Sequence, residues 1–209
     1  MSNIQGRWMD TPLMGKAHDH VDAPPLSEKF HAEARKLIAR YPAGQERSAL
    51  LPMLYLAQAE QGYVSPTAMR EIGDLLGLTR AQVGAVSTFY TMFKRDPQGR
   101  WLVSVCTHPS CTLAGGQQLK ERLEQELGIA CGETAGDVSL EEVECLCACD
   151  GAPVFSVNYE NYERMTVDDA VALVNKLRAG GQPPPGARGE VPQEFGPVNH
   201  RLSGAEAPR

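Results

Sequence analysis

The chain has 209 residues, 42% of them apolar, and a formal charge of 20 − 26 = −6. At roughly 150 residues per domain this is about 1.4 domains, enough chain to bury a sizeable core. A mildly acidic chain without a basic block gives no electrostatic reason to bind nucleic acid. Its longest apolar stretch, Ala49 to Ala57, is far below the roughly 20 residues that span a bilayer, so no direct membrane insertion is expected. The N-terminus lacks the charged-then-apolar pattern of a secretion signal, and an intracellular, cytoplasmic location is expected.

Residues 1–26 contain Pro12, Pro24 and Pro25 without sustained periodicity and read as an extended arm. A helical bundle is expected over 27–96. Ser27 is a candidate N-cap for a helix bearing Phe30, Ala34, Leu37, Ile38 and Tyr41, which Pro42 stops. A second helix carries Leu50, Leu51, Leu54, Tyr55 and Gln58 and closes at Gly62. Ser65–Pro66 starts a third, with Met69, Ile72, Leu75 and Leu76 inward and Gly77 as its stop. Thr79 with Gln82 forms a capping-box pattern for a fourth through Val83, Val86, Phe89, Tyr90 and Phe93.

At Pro97 the period changes. Trp101 to Cys106 alternates as a strand, Leu113 to Leu127 is helical with Gly128 as its end, and Val138 to Cys145 and Pro153 to Val157 read as strands. Tyr162 to Met165 would be a short partner strand, and Thr166 caps a last helix with Val167, Ala170, Val171, Val174 and Leu177. The order is close to β-α-β-β-β-α, which suggests a small α/β sandwich over 97–180. Residues 181–209 hold six prolines and five glycines. That density is expected to refuse helix and sheet, leaving a tail that orders only against a neighbouring subunit.

Six cysteines are the informative count, because in an intracellular chain clustered cysteines read as metal or redox chemistry before a disulfide framework. Cys106 and Cys111 form C-x4-C inside VCTHPSC, and Cys145 and Cys149 form C-x3-C inside ECLCACDGAP. Each pair sits just past a predicted strand, where loops can aim several side chains at one centre. Four thiolates from two loops suit a [2Fe–2S] cluster, two per iron, and Cys111 at a helix start would have backbone N–H groups nearby to hold negative sulfur. Two other readings use the same residues. A structural four-cysteine zinc site accepts these spacings, with His108 as a spare ligand or a solvated loop residue. A dithiol oxidoreductase would instead show C-x-x-C. Cys131 reads as a small buried residue, and Cys147 as a fallback ligand or a small-residue position. Gly115–Gly116 is no dinucleotide-binding loop, and no phosphate loop or Ser–His–acid set is present.

Several segments together are more specific than the cysteines alone: ALLPMLYLAQAEQGYVSPTAM, LGLTRAQVGAVSTFYTMF, VCTHPSC and VECLCACDGAPVFSVN, in that order. In these the chain resembles the thioredoxin-like [2Fe–2S] subunit of NADH–quinone oxidoreductase (complex I), the NuoE-type subunit, with related versions in NAD-linked hydrogenases and formate dehydrogenases. The resemblance covers about Leu50 to Asn158 and fits the closing helix, Thr166 to Ala179. It implies an α+β chain, a helical bundle followed by a thioredoxin-like domain, with cluster ligands at Cys106, Cys111, Cys145 and Cys149. The family usually has glycine where this chain has Cys147. The resemblance further implies a partner subunit carrying FMN and NADH, other peripheral-arm subunits around it, and a place at the inner face of the membrane, assuming a bacterial source. Phe89, Tyr90 and Phe93 of FYTMF would form the apolar face of the fourth helix, packed in the core or docked on the flavin subunit.

Overall fold

Local chemistry fixes most ends of the bundle helices. In the computed structural model, which describes residues 21–205, helix α1 spans Glu28–Ile38, and the Ser27 side chain accepts from the Phe30 N–H at 3.1 Å. Helix α2, Leu50–Gln61, ends at Gly62 with φ +78°, a left-handed conformation open to glycine at little cost. Helix α3, Pro66–Leu76, is capped by Ser65 and ends at Gly77 in the same conformation. Helix α4, Arg80–Phe89, has the full capping box of Thr79 and Gln82. Phe30, Leu37, Met53, Leu54, Ile72 and Val83 make one core. The arm expected over 1–26 lies mostly outside the described residues. Its last part, 21–26, has no regular secondary structure, and Asp22 Oδ1 accepts from the Thr67 N–H at 2.9 Å in the first turn of α3.

The fourth helix is shorter than its periodicity predicts. Tyr90 is already extended, and the chain beyond it is drawn away: the Val64 N–H donates to Lys94 O at 2.8 Å, and the buried Gln58 takes up Met92 O and the Lys94 N–H. Phe93 is buried against Tyr55, but Phe89 is 77% exposed and Tyr90 45%. FYTMF is therefore not one apolar helix face; of its three rings only Phe93 is core.

Strand β1, Trp101–Cys106, lies at the centre of a five-stranded sheet of order β2-β3-β1-β4-β5, where β2 is Glu133–Ala135, β3 Val138–Val143, β4 Phe155–Val157 and β5 Glu160–Tyr162. β1 pairs with β3 in parallel, and the remaining pairings are antiparallel. Trp101, Val103 and Val105 face α6 (Gly116–Leu127) and α7 (Val167–Arg178), packing on Leu119, Leu123, Val174 and Leu177 in a second core. The short strand β2 has no counterpart among the predicted elements. The helix expected over Leu113 to Leu127 is α6, which begins only at Gly116, and a five-residue α5, Pro109–Leu113, precedes it across Gly115 with φ +101°.

The Pro/Gly tail is the main correction. Residues 181–194 run as an extended strap, and Phe195–Leu202 then forms helix α8 against α2 of the same chain. Pro197 falls in the first turn of α8, where an N–H has no intrahelical partner to lose. Phe195, Val198 and Asn199 recur at three- and four-residue spacing and are buried. Along the strap the Asn158 side chain donates to Gln193 O at 2.8 Å, and the Phe195 N–H donates to Arg100 O at 3.0 Å. These contacts within the chain work against the ordering entropy of the segment.

Candidate functional site

Parallel pairing of β1 and β3 brings the two cysteine loops together. Cys106, the last residue of β1, is in register with Val143, the last of β3, so both loops leave the same edge of the sheet side by side. A third segment closes the site from the β4 side, with the Cys106 N–H donating to Val154 O at 3.2 Å. Cys111 sits on α5 behind Pro109, and Cys106 and Cys111 are both buried with Ala148 and Val154. The second loop is the open side: Cys145, Cys147 and Cys149 are all exposed.

The thiols form a connected set. Cys106 Sγ donates to Glu144 O at 3.3 Å, and Cys145 and Cys149 have their sulfurs 4.0 Å apart. Two thiolates on one tetrahedral metal at about 2.3 Å would stand about 3.8 Å apart, so this pair is spaced to chelate. Burial pushes the Cys111 thiol up to about 11, helped by its contact with Cys106 and by the charges that Cys106 and Cys149 would carry. Cys145 moves the other way, because the Cys147 backbone N–H donates to its sulfur at 3.3 Å, with smaller help from the thiols of Cys149, Cys147 and Cys106. Among the described residues, no three His, Cys, Asp or Glu side chains converge on a point that would hold one metal ion.

Neighbouring side chains stiffen both loops. Thr112 Oγ1 donates to Thr107 O and Thr107 Oγ1 to Glu142, each at 2.6 Å. The Thr107 hydroxyl, with Lys120 behind it, holds the Glu142 carboxyl below its usual range. Asn161 Nδ2 donates to Leu146 O at 3.2 Å inside the second loop. Gly116 has a role that motif reading misses, since the glycine pair matches no nucleotide loop. A Cβ there would lie 2.7 Å from Cys106 O and 2.8 Å from Cys111 O, so glycine lets α6 pack directly on the cysteine backbone. A glycine pair shortly after a cysteine was the available signal.

The four expected ligands lie in two neighbouring segments, Cys106 with Cys111 in one and Cys145 with Cys149 in the other, and Cys147 falls within the second. Cys131 is elsewhere, against the second core, its N–H donating to Glu124 at 2.9 Å and its thiol pushed up to about 12 by burial. His108 is an exposed loop residue at the start of α5. Cys147 has φ +57°, which a side chain makes costly by roughly 1–2 kcal/mol. Cys147→Gly should relieve that strain, partly offset by the greater freedom of glycine in the unfolded chain. The net gain expected in a urea titration is between zero and about 1 kcal/mol, with iron content unchanged; a loss of stability would contradict the strained geometry.

The architecture and the site define a class: an α+β protein whose sheet carries an all-cysteine centre at the edge shared by two parallel strands. The model of the thioredoxin-like [2Fe-2S] ferredoxin family matches residues 34–178. A NADH-quinone oxidoreductase subunit from Mycobacterium tuberculosis is 44% identical over 158 residues, 75% of this chain and 62% of that protein. NADH-quinone oxidoreductase subunit 2 of Thermus thermophilus is 40% identical over 145 residues, 68% of this chain and 80% of that one. Among solved structures, an NAD+-reducing [NiFe]-hydrogenase in the H2-reduced state superposes with a TM-score of 0.52 at 23% identity, covering 60% of this chain and 22% of that chain, a likeness of fold. The chain therefore belongs to the thioredoxin-like [2Fe-2S] ferredoxin family. It spans about 62% of the length of the mycobacterial relative.

Proposed function

We propose that this chain is the electron-transfer subunit of the NADH-oxidising module of a respiratory NADH–quinone oxidoreductase, holding one [2Fe–2S] cluster on Cys106, Cys111, Cys145 and Cys149. The observation that carries the reading is the convergence of two cysteine pairs from adjacent parallel strands, one buried and one exposed with a chelating 4.0 Å separation. An all-thiol donor set suits iron–sulfur chemistry, and the family membership supports the same group. When bound, the cluster supplies one-electron redox capacity, its charge going from 2− to 3− with its four thiolates.

The chain's own residues suit that change of charge. Burial of Cys106 and Cys111 excludes water from the inner side, and the Cys147 N–H is aimed at sulfur that gains negative charge. Cys145, of the outer pair, lines an open groove of about 900 Å³ together with Tyr90, Lys94, Glu141, Cys147 and Tyr159. Electrons would cross at this edge, exchanged singly with FMN on a partner subunit that also binds NADH. No helix of the described residues is long and apolar enough to cross a membrane. That is compatible with a peripheral place on the cytoplasmic face, among the other peripheral-arm subunits. The bundle (27–96) and the cluster-bearing part (97–180) are read as two units.

The test is an EPR spectrum of the anaerobically reduced native assembly, with iron and acid-labile sulfide counted on the same sample. One spin from two irons and two sulfides per chain is expected. Zinc without sulfide would replace this reading with a structural zinc module.

A further inference from the structure

The family match ends at residue 178, and the strap lies beyond it. The strap returns to the cysteine edge of the sheet. The Tyr162 hydroxyl donates to Pro184 O at 2.6 Å and the Ala187 N–H to Asn161 O at 2.7 Å, fastening the strap along β5. A turn in which the Gly186 N–H donates to Glu190 O at 3.0 Å presents Arg188 at its tip. Arg188 Nη2 donates to Asp150 Oδ2 and, at 3.0 Å, to Glu163 Oε2, while its Nε lies 2.6 Å from Glu163 Oε1.

Both carboxylates belong to the second cysteine loop or its support. Asp150 directly follows Cys149 in the short 3-10 turn Cys149–Gly151. Glu163, its side chain only 7% exposed, lies against Gly151, where an added Cβ would fall 2.3 Å from Glu163 Oε2. The Arg164 N–H, next along, donates to Gly151 O at 2.7 Å. One guanidinium therefore spans two acids beside the turn that carries a proposed ligand. Without it, those acids would face each other next to a centre that becomes more negative on reduction.

We infer that Arg188 is a positioning residue for the redox centre: it holds the Cys149 turn against Glu163 and keeps the neighbouring carboxylates from opposing reduction. The inference rests on the cluster reading above. The step it modulates adds one electron from an external reductant, with no bond made or broken. Removing the guanidinium leaves one more net negative charge beside the cluster, which disfavours that electron. Arg188 and Asp150 have side chains 59% and 68% exposed, so water and salt limit the effect.

The experiment is a dithionite titration followed by EPR on the full chain, with iron and sulfide counted for every variant. Arg188→Gln should make reduction about three- to tenfold less favourable, a midpoint lower by about 30–60 mV for one electron, and added salt should narrow the gap. Arg188→Lys should recover most of the shift, because the charge remains. Asp150→Asn, which keeps Arg188, should move the midpoint upward. Wild-type midpoints in both Arg188→Gln and Asp150→Asn, at equal iron content, would overturn the inference while leaving the cluster reading intact. If Arg188→Gln fails to hold iron, the decision passes to Asp150→Asn: an upward shift supports the inference, and no shift overturns it. A wild-type native assembly without iron and sulfide would overturn both.

Discussion

Cys149→Ala is expected to leave the chain folded and without its [2Fe–2S] cluster, and Cys145→Ala to do the same. The two sulfurs stand 4.0 Å apart on the exposed loop, so in the proposed site each would be half of a chelating pair. Removing either leaves one iron with a single protein thiolate where it needs two. Cys147 is the nearest replacement, yet its backbone is held left-handed at φ +57° with its N–H committed to Cys145 sulfur. The fold should survive, because both cores lie away from this loop. The check is iron, sulfide and EPR intensity per chain, with far-ultraviolet circular dichroism as the folding control. A cluster that persists in Cys149→Ala and disappears in Cys147→Gly would overturn the ligand assignment.

Gln58→Ala should cost about 3 kcal/mol or more, among the largest effects of any polar substitution in the bundle. Gln58 is completely buried on α2 and fills three of its four hydrogen-bonding positions. Its Nε2 donates to Met92 O at 3.0 Å and to Asn199 Oδ1 at 2.7 Å, and its Oε1 accepts from the Lys94 N–H at 2.6 Å. Truncation strands the buried Asn199 Oδ1 and the part-buried Met92 O and Lys94 N–H, at about 1–3 kcal/mol for each group left unsatisfied. Asn199→Ala should cost less, since it removes one of those contacts and the bond from Asn199 Nδ2 to Phe195 O at 2.7 Å. Urea unfolding of the two variants beside the parent reads the difference as a lower midpoint at unchanged slope. A Gln58→Ala midpoint within error of the parent would show that α8 and the segment after α4 are not fastened through this side chain.

These two sites differ in how far they could be read from residues alone. Ser27, Ser65, the Thr79–Gln82 pair, Gly62 and Gly77 announce helix ends because capping is settled within three or four residues. The cysteine pairs were legible for the same reason: each falls within five or six residues at or just beyond the end of a strand. Gln58 read only as one more position on an apolar helix, and its partners are 34, 36 and 141 residues away. FYTMF continued the helical period of α4, but the pull of Gln58 and Val64 on the following backbone ends the helix at Phe89 and leaves that ring in solvent.

Residue order alone carried the starts of α1, α3 and α4, the stops of α2 and α3, which cysteines cluster, and which family the chain joins, because short-range backbone chemistry and motif order hold that information. Tertiary structure alone decided that Cys106 and Val143 share a register, that Gly116 must be small, and that the Pro/Gly tail folds back as strap and helix rather than staying loose. Composition argued against that tail because it counts only the cost of ordering. The compensating contacts, from Asn158, Arg100, Gln58 and the acids around Cys149, exist only once residues far apart in the chain have been brought together.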